Sequence, residues 1–117
     1  MGLHTDLEIH KTAYDLFDLV VDDLVRNMPK DVKRALGDKL RDECLDLTVH
    51  IQIANMERDK APHLLNLIRG LGKVKVMLRL SRDRRYIGTR KYAAATFLTT
   101  SIGKQANAWR KAMSPAA

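Results

Sequence analysis

Three carboxylates, Asp38, Asp42 and Asp46, recur every four residues, the spacing that places them in one row along a helix. Inside a helix bundle such a row can serve a carboxylate-bridged metal, but those sites also draw on Glu-x-x-His pairs, and this sequence has none. The row falls on the polar side of its segment, so a solvated or ion-paired face is expected there, with no metal and no cofactor. His4, His10, His50 and His63 are scattered, without a pair at i,i+4 or a second ligand type at metal spacing. His50 reads as a boundary residue. Cys44, the single cysteine, lies in an apolar line and reads as a small core hydrophobe, since a nucleophilic thiol wants a helix N-terminus or a basic neighbour. Gly70-Leu71-Gly72 lacks the strand before it and the Lys-Ser/Thr after it that a phosphate loop needs, and reads as close packing of helix backbones. No Ser/His/Asp set can be placed. The expectation is a protein that is not an enzyme.

Charge is the chemistry that remains. Residues 1–68 carry 9 Lys/Arg against 13 Asp/Glu, a net of −4; residues 69–117 carry 12 against 1, a net of +11. Within residues 69–91 stand nine cations, Arg69, Lys73, Lys75, Arg79, Arg82, Arg84, Arg85, Arg90 and Lys91, with Asp83 the one acid. Lys104, Arg110 and Lys111 extend the basic half. Asymmetry of this kind points to a polyanion or to a charge-complementary protein. Ordinary ion pairing is the competing account. In an antiparallel pair turning near Lys60, Asp46 would lie level with Lys73, and Asp42 and Glu43 near Lys75 and Arg79. That pairing does not absorb everything, because residues 90–117 contain no acid. The seam between the last two helices, where Ala94 and Thr100 lie beside Arg79 and Lys73, is therefore expected to attract phosphates and release counterions. Arginine's planar fork suits that ligand. Tyr86 and Tyr92 flank the turn, where they can stack on unpaired bases or plug the end of the fold; plugging is the favoured reading. Assembly is a further possibility. Asp15, Asp18 and Asp22 of one copy can meet the basic seam of the next, with Leu65, Val76 and Leu80 as apolar contacts, and head-to-tail contacts of this sort close into rings.

The elements that must position these residues are helices. Aromatics are 5% of the chain, so the core must come from Leu, Val, Ile and Ala. Four segments at helical spacing are expected at about 6–28, 31–58, 62–83 and 90–113, in one domain covering 1–117. Thr5 with Glu8 fits a capping box for the first. Ile9, Ala13, Leu16, Phe17, Val20 and Leu24 form its stripe, widened by Tyr14, Val21, Val25 and Met28. Pro29 marks the first break. Leu36, Leu40, Cys44, Leu47, Ile51 and Ala54 run along the second helix, with Leu45, Val49, Ile53 and Met56 as a second line and Gly37 as a weak point. Pro62 opens the third, whose core line is Leu64, Leu67, Leu71, Val74 and Leu78. Thr89 fits an N-cap for the fourth, with Ala95, Leu98, Ile102, Ala106 and Trp109 inward. Short connections predict an all-α, antiparallel up-down four-helix bundle. A lone cysteine suits a reducing compartment. The opening "MGLHTDLEIHK" lacks a signal-peptide pattern and no apolar run approaches membrane-spanning length, so a soluble cytoplasmic protein is expected.

Taken in order, "HKTAYDLFDLV", "MPKD", "LGDKLRDECLDL", "IANMERDK", "KVKVMLRLSRDRRYIGTRKYA" and "IGKQANAWRK" resemble the accessory variability determinants of diversity-generating retroelements. These are similar to a wider set of bacterial four-helix bundles that includes the ribosomal-RNA intervening-sequence proteins. The resemblance spans about residues 8–111. It implies a homopentameric barrel of bundles with a basic surface and an accessory, non-catalytic role. It implies as partners a reverse transcriptase and its template RNA, and a contribution to mutagenic cDNA synthesis. The implied RNA contacts fall on the basic positions from Arg69 to Lys91. "AAATFLTTSIGKQANAW" is richer in Ala and Thr than the resemblance leads one to expect. Two other readings stay open: a ribosomal-RNA-associated bundle, and a basic bundle that docks only an acidic protein.

Overall fold

A computed structural model describes residues 7–113. Helix α1 runs Glu8–Leu19 and continues as a π-helical stretch, Val20–Val25. Helix α2 opens with Lys30–Val32, widens into a second π-helical stretch, Lys33–Gly37, and runs on as Asp38–Met56. Helix α3 is Ala61–Asp83 and α4 is Thr89–Met113. No strand occurs among the described residues. Each helix packs on its chain neighbours, and α4 closes the ring against α1. The extents, 47 × 24 × 21 Å, match one helix length by two helix widths each way, the two-by-two section of a four-helix bundle.

The core is the set of expected stripes. Leu16, Val20, Leu40, Leu47, Ile51, Leu64, Leu67, Val74 and Ile102 are all inaccessible to solvent. Each Leu or Ile so buried contributes about 1.5–3 kcal/mol of transfer free energy. Cys44 belongs to this core, and burial followed by the Glu43 charge pushes its thiol pKa up to about 12. Several expectations need correction. Tyr14 is exposed, its ring set edge-on against buried His10, which itself meets Gln52 Oε1 at 3.2 Å. Leu45, Val49 and Met56 are exposed too, so the second line of α2 faces outward. The Thr5 cap and a start at residue 6 lie outside the described residues; Leu7 precedes the first helical turn without a side-chain cap. Thr89 is the first residue of α4 rather than its cap, and Tyr92 N–H donates to the Gly88 carbonyl at 2.9 Å.

The two π-helical stretches face each other across the Pro29 turn. A wider turn lets the adjacent Leu24 and Val25 both point inward. Gly37 makes the approach possible: a β-carbon there would sit 2.8 Å from Val25 Cγ1 and 3.3 Å from Met28 Sδ. Gly70 does the same job between α2 and α3, with Leu47 Cδ2 at 3.1 Å from a β-carbon position, whereas Gly72 faces open space. At the opposite end Lys60 caps α2, its Nζ donating to the carbonyls of Ala54 (2.8 Å), Asn55 (3.3 Å) and Glu57 (2.8 Å).

Candidate nucleic-acid interface

An up-down bundle places the α1–α2 and α3–α4 turns at one end, and the basic residues gather there. Helix α3 stops in a Schellman arrangement: Tyr86 N–H donates to the Ser81 carbonyl at 2.8 Å and Arg85 N–H to the Arg82 carbonyl at 2.9 Å. Arg85 occupies the left-handed position of that motif, φ 61°, where glycine is usual. The turn is pinned from below by Ser81, wholly buried with its hydroxyl donating to the Met77 carbonyl at 2.8 Å, and by buried Ile87. Tyr86 and Tyr92 are half-buried and packed on the core, as plugs.

The nine cations of residues 69–91 divide by what they touch. Lys73 lies 3.9 Å from Glu43, in place of the expected level with Asp46. Arg82 donates to Asp83 Oδ1 from Nε (3.1 Å) and Nη2 (2.8 Å), and its guanidinium lies 4.5 Å from the centre of the Tyr92 ring. The Asp83 hydrogen bonds push Arg82 still further toward its charged form. Lys91 pairs with Asp23 at the end of α1, and that hydrogen bond, ahead of the direct charge attraction, holds the Asp23 carboxyl below its usual range. These three are therefore partly answered. Lys75 and Arg79, which were expected near Asp42 and Glu43, instead line a groove of about 200 Å³ between α3 and α4 with Tyr92, Thr96 and Thr100. Asp42 pairs with Arg41, as does Asp38. Among the described residues no acid pairs with Arg69, Lys75, Arg79, Arg84, Arg85 or Arg90, and all are exposed. Lys104 lies further along α4, exposed. Arg110 and Lys111 sit about 30 Å from the turn by helical rise, outside this cluster.

Two features escaped the sequence reading. Lys30, Lys33 and Arg34 line a concavity of about 530 Å³ with Met28 and Asp38. Arg84 adjoins Val32, Ala35 and Leu36 in a separate concavity, so both turns bring cations to the same end of the bundle. The halves of the chain, tallied by net charge, concealed the first group inside an acidic total. The second is Phe97, 74% exposed on α4, one position off the Leu98 stripe among small residues. Asp15, Asp18 and Asp22 are exposed on α1 and make no ion pair among the described residues. Leu65, Val76 and Leu80 are exposed at 38%, 61% and 47%. No cluster of His, Cys, Asp and Glu fit to hold a metal, and no helix long and apolar enough to cross a membrane, occurs among the described residues.

A bundle of this order, with this basic turn, matches the bAvd-like family model over residues 7–113. The chain belongs to the bAvd-like family. These are the bacterial accessory variability determinants, and membership makes the chain an accessory protein of that type in general. The family as a whole is accessory rather than catalytic and associates with a retroelement reverse transcriptase. No curated protein and no solved structure matches the chain.

Proposed function

We propose that this bAvd-like chain is the RNA-holding scaffold of a diversity-generating retroelement: it binds template RNA through phosphates, associates with the reverse transcriptase, and supports mutagenic cDNA synthesis without catalysing it. The observation that carries this reading is the set of exposed cations with no acid partner at the α3–α4 seam and its turn: Lys75, Arg79, Arg84, Arg85 and Arg90. Contacts to phosphate and sugar position a polynucleotide without reading its sequence, which is what a scaffold requires. The test is reconstitution of cDNA synthesis from retroelement reverse transcriptase, template RNA and this protein. Synthesis should depend on the protein and fail when Arg79, Arg84 and Arg85 are reversed to Glu. Equal synthesis with the reversed protein would remove the seam from the mechanism.

The exposed carboxylates of α1 and the exposed apolar residues of α2 and α3 favour a second element of the reading, a head-to-tail homo-oligomer, taken as a pentameric barrel in the cytoplasm. Asp15, Asp18 and Asp22 of one copy would face Arg69 or Lys73 of the next, with Leu65, Val76 and Leu80 between them. Reversing Asp18 and Asp22 to Lys should lower the native mass to that of a monomer; an unchanged mass contradicts this arrangement.

A further inference from the structure

Phe97 has the most exposed large apolar side chain among the described residues, at 74%. Its neighbours one turn away on α4 are Ala93, Ala94, Thr100 and Ser101, none larger than threonine, so no side chain of its own helix covers the ring. It lines a shallow, open cleft along the outer face of α4 with Ala93, Thr96, Thr100 and Lys104, all on that one helix. That cleft shares Tyr92, Thr96 and Thr100 with the groove that holds Lys75 and Arg79. Lys75 and Arg79 thus border the same face across the groove, the Lys75 ammonium 3.9 Å from a β-carbon position at Gly103 and so next to Lys104, on a helix with no acid.

We infer that Phe97 is a stacking platform for an unpaired nucleobase, with Lys75, Arg79 and Lys104 holding the neighbouring phosphates. The inference rests on the RNA-holding reading above and adds to it a preference for single strands. Charge decides the occupant: an apolar ring that shares its cleft with Lys104 and adjoins the groove of Lys75 and Arg79, with no acid lining either, suits a π-face carried on a polyanion better than an apolar protein surface. A duplex offers no such face, because its bases are already stacked on one another. The tyrosines cannot substitute. Tyr92 is covered by the Arg82 guanidinium and packed on the core, and Tyr86 is half-buried there.

The experiment is fluorescence anisotropy with labelled oligo-adenosine and oligo-uridine single strands and an RNA duplex of equal length. It compares the intact protein with Phe97→Ala, Phe97→Leu and Phe97→Trp, each checked for folding by circular dichroism. Base–aromatic stacking predicts that Ala and Leu weaken single-strand binding about 5- to 100-fold. The duplex affinity and the salt dependence should stay as they were, and Trp should restore binding. Unchanged single-strand affinity in Phe97→Ala overturns the inference, as does an equal loss on duplex. A change in native mass in that variant assigns the ring to a protein contact and overturns it likewise. Failure of the intact protein to bind any RNA defeats the RNA-holding reading itself, and this inference with it.

Discussion

Replacing Arg85 with glycine separates what the basic turn does for the fold from what it does for a ligand. Arg85 holds φ 61° in the Schellman turn that ends α3. A left-handed backbone costs an L-residue about 1–2 kcal/mol. Glycine removes that cost but loses about 0.5–1 kcal/mol through the extra freedom of its unfolded chain. The turn's hydrogen bonds are backbone to backbone and survive the change, so the net gain is about 0.5–1 kcal/mol. For a chain of 117 residues the unfolding entropy is roughly 250 cal/mol/K, which converts that gain to a Tm rise of about 2–4 °C. In the same protein, loss of one phosphate contact lowers the salt slope of single-strand binding by about 0.7. Thermal melting by circular dichroism and RNA anisotropy read the two effects, with Arg85→Lys as a control that keeps both charge and backbone strain and should move neither. A lowered Tm would refute the strain argument, because the arginine side chain would then be stabilising the turn by more than its backbone costs. Unchanged RNA binding would remove Arg85 from the interface.

Gly37→Ala should destabilise the protein by about 1–3 kcal/mol, since a β-carbon there meets Val25 Cγ1 at 2.8 Å; urea denaturation reads it, and a neutral result would mean the two π-helical stretches part at no cost. Asp23 has its pKa lowered below the ordinary 3.8 by Lys91, so its contribution to stability is complete above that value and is lost as pH falls through the depressed one. Lys91→Ala should flatten this part of the stability–pH curve, and an unaltered acid limb would show that the pair contributes nothing. Cys44, buried and with its pKa raised to about 12, should react with a thiol reagent at pH 8 only as fast as the bundle opens, and at the ordinary thiol rate in denaturant. Fast labelling of the native protein would contradict that burial.

Much of the bundle could be read from the chain because its signals are local. Leu64, Leu67, Leu71, Val74 and Leu78 recur at helical spacing, Pro29 and Pro62 mark breaks, and the acid-free run after residue 90 is a matter of counting. What could not be read depends on where distant residues meet. The π-helical turns follow from the approach of Gly37 to Val25 and Met28, which no local pattern encodes. Lys91 finds Asp23 across 68 positions, so a cation assigned to RNA from its neighbours in sequence turns out to be partly held by α1. The left-handed position of the last turn belongs to Arg85, although a glycine, Gly88, stands three residues on. Lys30, Lys33 and Arg34 join the basic end only because an up-down topology brings the two turns together. No local signal marks Phe97, whose exposure is set by a single step off the Leu98 stripe.

If the cations of the α3–α4 seam hold RNA by its phosphates, binding must weaken steeply as salt rises. Lys75, Arg79, Arg84, Arg85, Arg90 and Lys104 are exposed cations with no acid partner among the described residues. Up to about six phosphate contacts give a log–log slope near −4 for a single strand, or roughly a 300-fold loss of affinity between 50 and 200 mM salt. Reversal of Arg79, Arg84 and Arg85 to Glu should bring the slope to about −2 and abolish tight binding. Binding that ignores salt, or no binding at 50 mM by the folded protein, would contradict the account and leave those cations to a protein partner.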